Sequence, residues 1–309
     1  MSDARLFALF GHPVSHSLSP VIHAAAYTAL GLSYRYAAFD LPAASDVANA
    51  FDDLRRGKFG GANVTIPHKR QAFELSDVVE PSAQLPGVAN VLCVDDRGRV
   101  HAHNTDADAL ADDIASVLPD HPRLQATVVG GGGAGLAAIV ACQKLGFARI
   151  GVTSRSWSSR EYLEASAVAP RMRALGVDVF PWPMNTQRTN PDEIPRLSDD
   201  WRAFVRASSL VIQATSAGMA GADAGEPIAE IVPWDDLAEH TTAYDVVYTP
   251  PVTPFLRAAM THRLLARGGL GMLVRQAARS IELWTGLSPP IDVMQRAAEQ
   301  ALVQRGQTV

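Results

Sequence analysis

Over the first hundred residues, short apolar and β-branched runs alternate with stretches of helical periodicity. Residues 6–10, 34–41, 62–66 and 89–94 read as strands, and residues 20–30 and 44–55 as helices. Strand and helix in alternation predict an α/β unit, because a sheet whose strands are joined through helices covers its own faces. The pattern begins afresh at 126–129 with a strand, a glycine-rich turn and a helix running to Leu145, followed by strands at 149–153, 210–214 and 243–248. This second series predicts a doubly wound parallel sheet. Residues 253–265, 272–284 and 290–304 carry apolar side chains at three- and four-residue spacing, so helices are expected there, the terminal ones packing back on the first unit. Residues 185–200 show no periodicity and read as a surface loop. A chain of 309 residues exceeds what one core usually serves. The expected organisation is one domain of residues 1–105 with 270–309 and another of residues 106–269, leaving room for a cleft and for hinge closure.

Composition narrows the function classes. With 47% hydrophobic and 19% charged residues, the chain has the makeup of an ordinary soluble protein. A net charge of −5 without a long basic run argues against nucleic acid as a partner. The start MSDARLFALFGHP has neither the basic head nor the apolar stretch of a secretory signal. The longest uncharged stretch, 124–143, is interrupted by four consecutive glycines, so no membrane span is expected. Cys93 and Cys142 lie far apart in apolar segments and are expected to be buried free thiols, which fits a reducing, cytoplasmic setting.

The glycine-rich turn carries the first specific chemistry. Gly130, Gly132 and Gly135 have G-x-G-x-x-G spacing between a strand and a helix. Glycine there allows a tight turn and lets backbone amides approach a pyrophosphate at the helix N-terminus, which predicts a Rossmann-type dinucleotide domain. An NAD site would place an acidic residue about 20 positions on, to bind the ribose hydroxyls. Ser154-Arg155-Ser156 stands there instead. A guanidinium with two hydroxyls suits the extra phosphate of NADP, so NADP is favoured over NAD.

In the first half, polar clusters sit where strands end: 11–20 (GHPVSHSLSP), 61–69 (GANVTIPHK), 87–90 (GVAN) and 104–106 (NTD). Loops at strand ends are where α/β proteins place ligands. Each residue also has a plain structural reading: Ser19-Pro20 as a helix cap, Asn90 as a turn residue, Lys69 as a solvated charge. His101, His103 and Asp106 could suggest a zinc hydrolase, but alternate histidines on a strand are commonplace and no third histidine is suitably spaced, so no metal is expected.

Taken together, these segments resemble the shikimate dehydrogenase family over nearly the whole chain. The resemblance extends through ATSAGM at 214–219, YDVVY at 244–248 and GML at 271–273 to Gln276 and WTG at 284–286. It implies an NADP-dependent oxidoreductase of two α/β domains, the first binding substrate, that reduces 3-dehydroshikimate reversibly to shikimate. Lys69 and Asp106 would be the catalytic pair. Ser17 and Ser19 would hold the substrate carboxylate, and Asn63, Thr65, Asn90 and Gln276 the ring hydroxyls, with Tyr248 close by. Gly130, Gly132, Gly133, Ala134 and Gly135 would cradle the pyrophosphate. Thr215, Met219, Val246 and Gly269 would line the nicotinamide side, and Ser154, Arg155 and Ser156 would hold the adenosine phosphate. The family would predict a monomer or homodimer without nucleic-acid or membrane partners. The sequence departs from the family pattern at Val91 (usually threonine), at Ala102, Ala107 and Ala109 (usually glycine), at Ser154 and Ser156 (usually asparagine and threonine) and at Gln213 (usually asparagine). These changes are expected to crowd the surroundings of Asp106 and to alter the cofactor turn. They leave room for a paralogue acting on quinate or an aminoshikimate, and a non-catalytic NADP and ring-acid sensor is a further alternative.

Overall fold

A computed structural model describes residues 5–118, 123–184 and 197–306; most of the expected 185–200 loop lies outside them. The chain divides into two compact units, residues 1–109 with 271–309 and residues 110–270. The division follows Ala109 rather than position 105, so Asp106 belongs to the first unit.

The first unit is built on strands β1 (Leu6–Gly11), β2 (Arg35–Asp40), β3 (Gly61–Val64), β4 (Val78–Val79), β5 (Val91–Val94) and β6 (Val100–His103). They lie in the order β2-β1-β3-β5-β6-β4, with β5 antiparallel to both of its neighbours and the other pairs parallel. Because side chains alternate across a strand, β1 feeds two layers. Phe10 meets Phe39 and Phe59 on one side. Phe7 meets Tyr27, Tyr34 and Trp284 on the other, stacking on Trp284 at 4.6 Å. Trp284 belongs to the helix Leu270–Thr285 and donates from Nε1 to Leu92 O at 3.0 Å. The last helix, Ile291–Gln304, packs on Ser19–Ala29, so the C-terminal helices do cover the first sheet. Helix Ser19–Ala29 buries Ser19, Ile22, His23, Ala26 and Tyr27, a stripe at helical spacing that takes Ser19 and His23 inward with the apolar residues.

The second unit carries β7 (Gln125–Val129), β8 (Arg149–Thr153), β9 (Asp178–Phe180), β10 (Leu210–Gln213), β11 (Thr242–Asp245) and β12 (Leu265–Gly268). All are parallel, in the order β12-β11-β10-β7-β8-β9, the doubly wound arrangement. The series 253–265 is one helix only from Pro254 to Thr261. It ends in a turn in which Arg263 takes φ 60°, and Leu265 opens β12. Among the described residues, no helix is long and apolar enough to cross a membrane. Both cysteines are free; Cys142 is buried, whereas Cys93 is only half-buried and its thiol is pushed up to about 12, chiefly by burial.

Candidate active site

In the first unit the turn after β3 leads directly into the helix Lys69–Leu75, so Lys69 projects from the first helical position. Its neighbours are turned elsewhere. The His68 ring donates to Leu41 O at 2.6 Å, and Arg70 pairs with Glu74 at the surface. Lys69 Nζ donates to Asp106 Oδ2 at 2.6 Å, the side chains being 29% and 13% exposed. This is a half-sheltered ion pair, which displaces the solvated-charge reading of Lys69.

Asp106 opens the helix Asp106–Ala115, and its backbone N–H donates to Asn104 Oδ1 at 3.0 Å, which fixes the start of that helix. Asn90 Nδ2 donates to Asp106 Oδ1 at 2.7 Å and to Thr105 Oγ1 at 3.1 Å, while Asn90 Oδ1 accepts from Thr105 N at 2.9 Å. Both carboxylate oxygens of Asp106 are therefore held by named donors. Gln276 Oε1 lies 3.5 Å from Asn90 Nδ2, which brings the helix Leu270–Thr285 to the same cluster.

A second chain of hydrogen bonds is centred on Asn63. Tyr36 Oη donates to Asn63 Oδ1 at 2.8 Å. Asn63 Nδ2 donates to Ser280 Oγ at 2.8 Å and to Asn90 O at 3.2 Å. His23 is fully buried, stacks on Tyr36 at 3.8 Å and has neither ring nitrogen hydrogen-bonded; burial lowers its pKa to about 3, so it is a neutral ring beneath the phenol. Ser19 does not cap its helix; Ser17 Oγ accepts from Ser19 N at 3.1 Å. Thr65 lies half-buried just after β3 and bonds Phe10 O through its backbone. Gly11 makes room for it, because a Cβ at that position would stand 2.3 Å from Thr65 Cγ2. The sequence reading passed over Tyr36, His23, Asn104, Thr105 and Ser280. Ser280 has no local signal, whereas Asn104 and Thr105 lie in a segment already singled out.

Val91, Ala102 and Ala109 are fully buried among core residues. Gln213 supports a loop: its amide nitrogen donates to Ala217 O at 2.9 Å and its oxygen accepts from Thr215 N.

In the second unit, β7 runs into the loop before the helix Gly133–Lys144. A Cβ on Gly135 would lie 1.9 Å from Gly130 O, so only glycine lets the helix start this close to the strand. A Cβ on Gly132 would meet nothing within 4 Å. The loop therefore has open space beside a helix N-terminus whose amides face outward, as a pyrophosphate needs. Gly133 is exposed and Ala134 half-buried beside it. Ser154, Arg155 and Ser156 follow β8, with the two hydroxyls 3.1 Å apart. Thr215 and Met219 follow β10, while Val246 and Tyr248 follow β11. A Cβ on Gly269 would stand 2.2 Å from Val246 O, which places Gly269 hard against that segment. Asp245 ends β11 in deep burial, which pushes its carboxyl up to about 7; Thr253 Oγ1 and Val247 N donate to it. The donor set fits a dinucleotide phosphate. His101 is paired with Glu80 and Asp95, and among the described residues no group of three or more His, Cys, Asp or Glu is placed to hold a metal ion.

Comparison with known proteins agrees with this arrangement. The family model described as the shikimate dehydrogenase substrate binding domain matches residues 9–92, and that of the shikimate 5'-dehydrogenase C-terminal domain matches residues 269–299. A shikimate dehydrogenase (NADP(+)) of Citrifermentans bemidjiense is 35% identical over 98% of this chain and 97% of its own. That of Symbiobacterium thermophilum is 34% identical over 96% and 95%. The crystal structure of shikimate 5-dehydrogenase from Thermus thermophilus, in complex with NADP(H) and shikimate, aligns with a TM-score of 0.77 at 32% identity, over 96% of this chain and all of that one. With relatives this similar along nearly its full length, the chain belongs to the shikimate dehydrogenase family.

Proposed function

We propose that this protein is an NADP-dependent shikimate dehydrogenase, interconverting 3-dehydroshikimate and shikimate. The observation that carries the reading is the Lys69–Asp106 pair at 2.6 Å, with Asn90 holding the free oxygen of the carboxylate. A protein that only bound a ring acid would have no need of it. The dinucleotide supplies or accepts the hydride. In the reducing direction the Lys69 ammonium donates a proton to the oxygen of the carbon being reduced, and in the other direction the lysine takes it back. Asp106, fixed by Asn90 and by its own helix start, keeps the lysine aimed. Ser17 and Ser19 anchor the ring carboxylate, while Asn63, Thr65, Asn90 and Gln276 read the hydroxyls, an analogue lacking one leaving buried polar groups unpaired. Thr215, Met219, Val246 and Gly269 serve the nicotinamide, and Tyr248 the substrate. The protein acts in the cytoplasm as a monomer or homodimer.

One panel tests the reading: shikimate, quinate and an aminoshikimate, each with NADP and with NAD, followed by absorbance of the reduced nicotinamide. The expected result is turnover of shikimate with NADP above every other pairing; faster turnover of quinate would assign the chain to a paralogous substrate. Ser17→Ala is expected to raise KM for shikimate about tenfold or more with kcat nearly unchanged, the mark of a charge-assisted contact kept in ground and transition states. A loss confined to kcat would remove Ser17 from the carboxylate site.

A further inference from the structure

Arg155 does not stand alone at the end of β8. Its Nη2 donates to Asp223 Oδ2 at 2.6 Å, with the two side chains 44% and 67% exposed. Asp223 is brought there by the loop that follows β10, and that loop is folded back on itself. Gly218 N donates to Asp223 O at 2.8 Å, Met219 N to Ser216 O, Ala222 N to Met219 O, and Ala220 N to Thr249 O. The carboxylate is thus presented by an organised turn at the guanidinium proposed to hold the adenosine phosphate.

We propose that Asp223 is a specificity-determining residue for the cofactor, weakening NADP and favouring NAD. The inference rests on the reading of Arg155 as the phosphate-binding residue. A 2′-phosphate placed on Arg155 must either displace the carboxylate or lie beside it, and both oppose binding, the first by breaking an ion pair and the second by like-charge repulsion. The unphosphorylated ribose of NAD meets no such opposition. Its hydroxyls can donate to a carboxylate, the part played in NAD-binding domains by an acidic residue at the end of the second strand. Here that strand end carries Arg155, and Asp223 supplies the acid from a different loop. Because the pair is exposed and easily exchanged, it tunes the preference instead of abolishing either cofactor.

Equilibrium binding tests this apart from turnover. Dissociation constants for NADP, NAD, 2′,5′-ADP and ADP are measured by calorimetry on the wild type, Asp223→Asn and Arg155→Ala, at low and at high salt, with thermal unfolding as a check on folding. Asp223→Asn is expected to tighten NADP and 2′,5′-ADP about three- to tenfold and to weaken NAD by a similar factor, the change shrinking at high salt as screening requires. Arg155→Ala is expected to weaken the phosphorylated ligands selectively. If Arg155→Ala is selective while Asp223→Asn changes nothing, or weakens all ligands together, Asp223 is a bystander or a support for Arg155 and the inference is overturned. If Arg155→Ala affects phosphorylated and unphosphorylated ligands alike, the assignment of Arg155 fails and takes the inference with it. Failure to turn over shikimate would strike the proposed substrate and leave the cofactor result standing.

Discussion

Lys69→Ala is expected to lower kcat for shikimate oxidation by roughly 100- to 10,000-fold, the usual worth of a positioned acid or base, with a much smaller change in KM. The structure gives Lys69 no competitor on its own helix turn, since His68 is bound to Leu41 O and Arg70 to Glu74. Its contact with Asp106 at 2.6 Å is half-sheltered, so the ammonium is held in place without being sealed from a ligand. Asp106→Asn should impair kcat as well, because an amide cannot accept from both Lys69 and Asn90 without turning a donor toward one of them. The double variant should lose less than the product of the single losses, as expected for groups acting as a unit. Rates with each ring acid, measured at saturating NADP, check this. Near-normal kcat in Lys69→Ala would mean that the proton comes from elsewhere, and full multiplicativity would mean that the pair does not act together.

Gly135→Ala is expected to weaken NADP at least 100-fold and to lower the unfolding temperature by a few to about ten degrees. The added methyl would stand 1.9 Å from Gly130 O, and neither partner is a side chain that can rotate away. The helix Gly133–Lys144 must back off the strand, which spoils the amide cradle and carries an overpacking cost of about 1–3 kcal/mol. Gly132→Ala separates the two effects. Its methyl meets no protein atom within 4 Å, so folding should be unchanged, yet it would project into the space needed by the pyrophosphate and weaken binding alone. Calorimetric affinity and thermal unfolding of both variants decide the matter. Equal unfolding temperatures for Gly135→Ala and wild type would show that the close approach is not rigid.

Much of this fold was legible along the chain where one periodicity ran uninterrupted. The helix Ala44–Arg55 and the strand Arg149–Thr153 have the bounds that their patterns implied. What escaped was short or hidden inside a longer pattern. Residues 253–265 keep helical spacing past the point where the chain reverses at Arg263, so the helix was carried into Leu265, the first residue of β12, and the rest of that short strand had no pattern of its own. The two-residue β4 exists through its pairing with β6 and has no periodicity of its own. The glycine spacing announced a dinucleotide loop because the backbone approach that demands glycine is local, whereas Lys69 and Asp106 were paired only by the family resemblance, their own segments marking no more than polar strand ends.

By itself, then, the sequence determined the α/β class, the two series of alternating elements and the nucleotide loop, since each depends on residue types at short, regular spacing; Lys69 and Asp106 stood out as a candidate pair only through the family resemblance. Only the tertiary structure decided which groups hold those residues. Asn63 meets Ser280 across 217 positions, and Tyr36 donates to it from a strand whose pattern advertised nothing but a strand. Asp223 reaches Arg155 across 68 positions. Hydrogen bonds and ion pairs act over about 3 Å in space, whatever the distance along the chain, so partners brought together by sheet order and loop return leave no mark in local spacing.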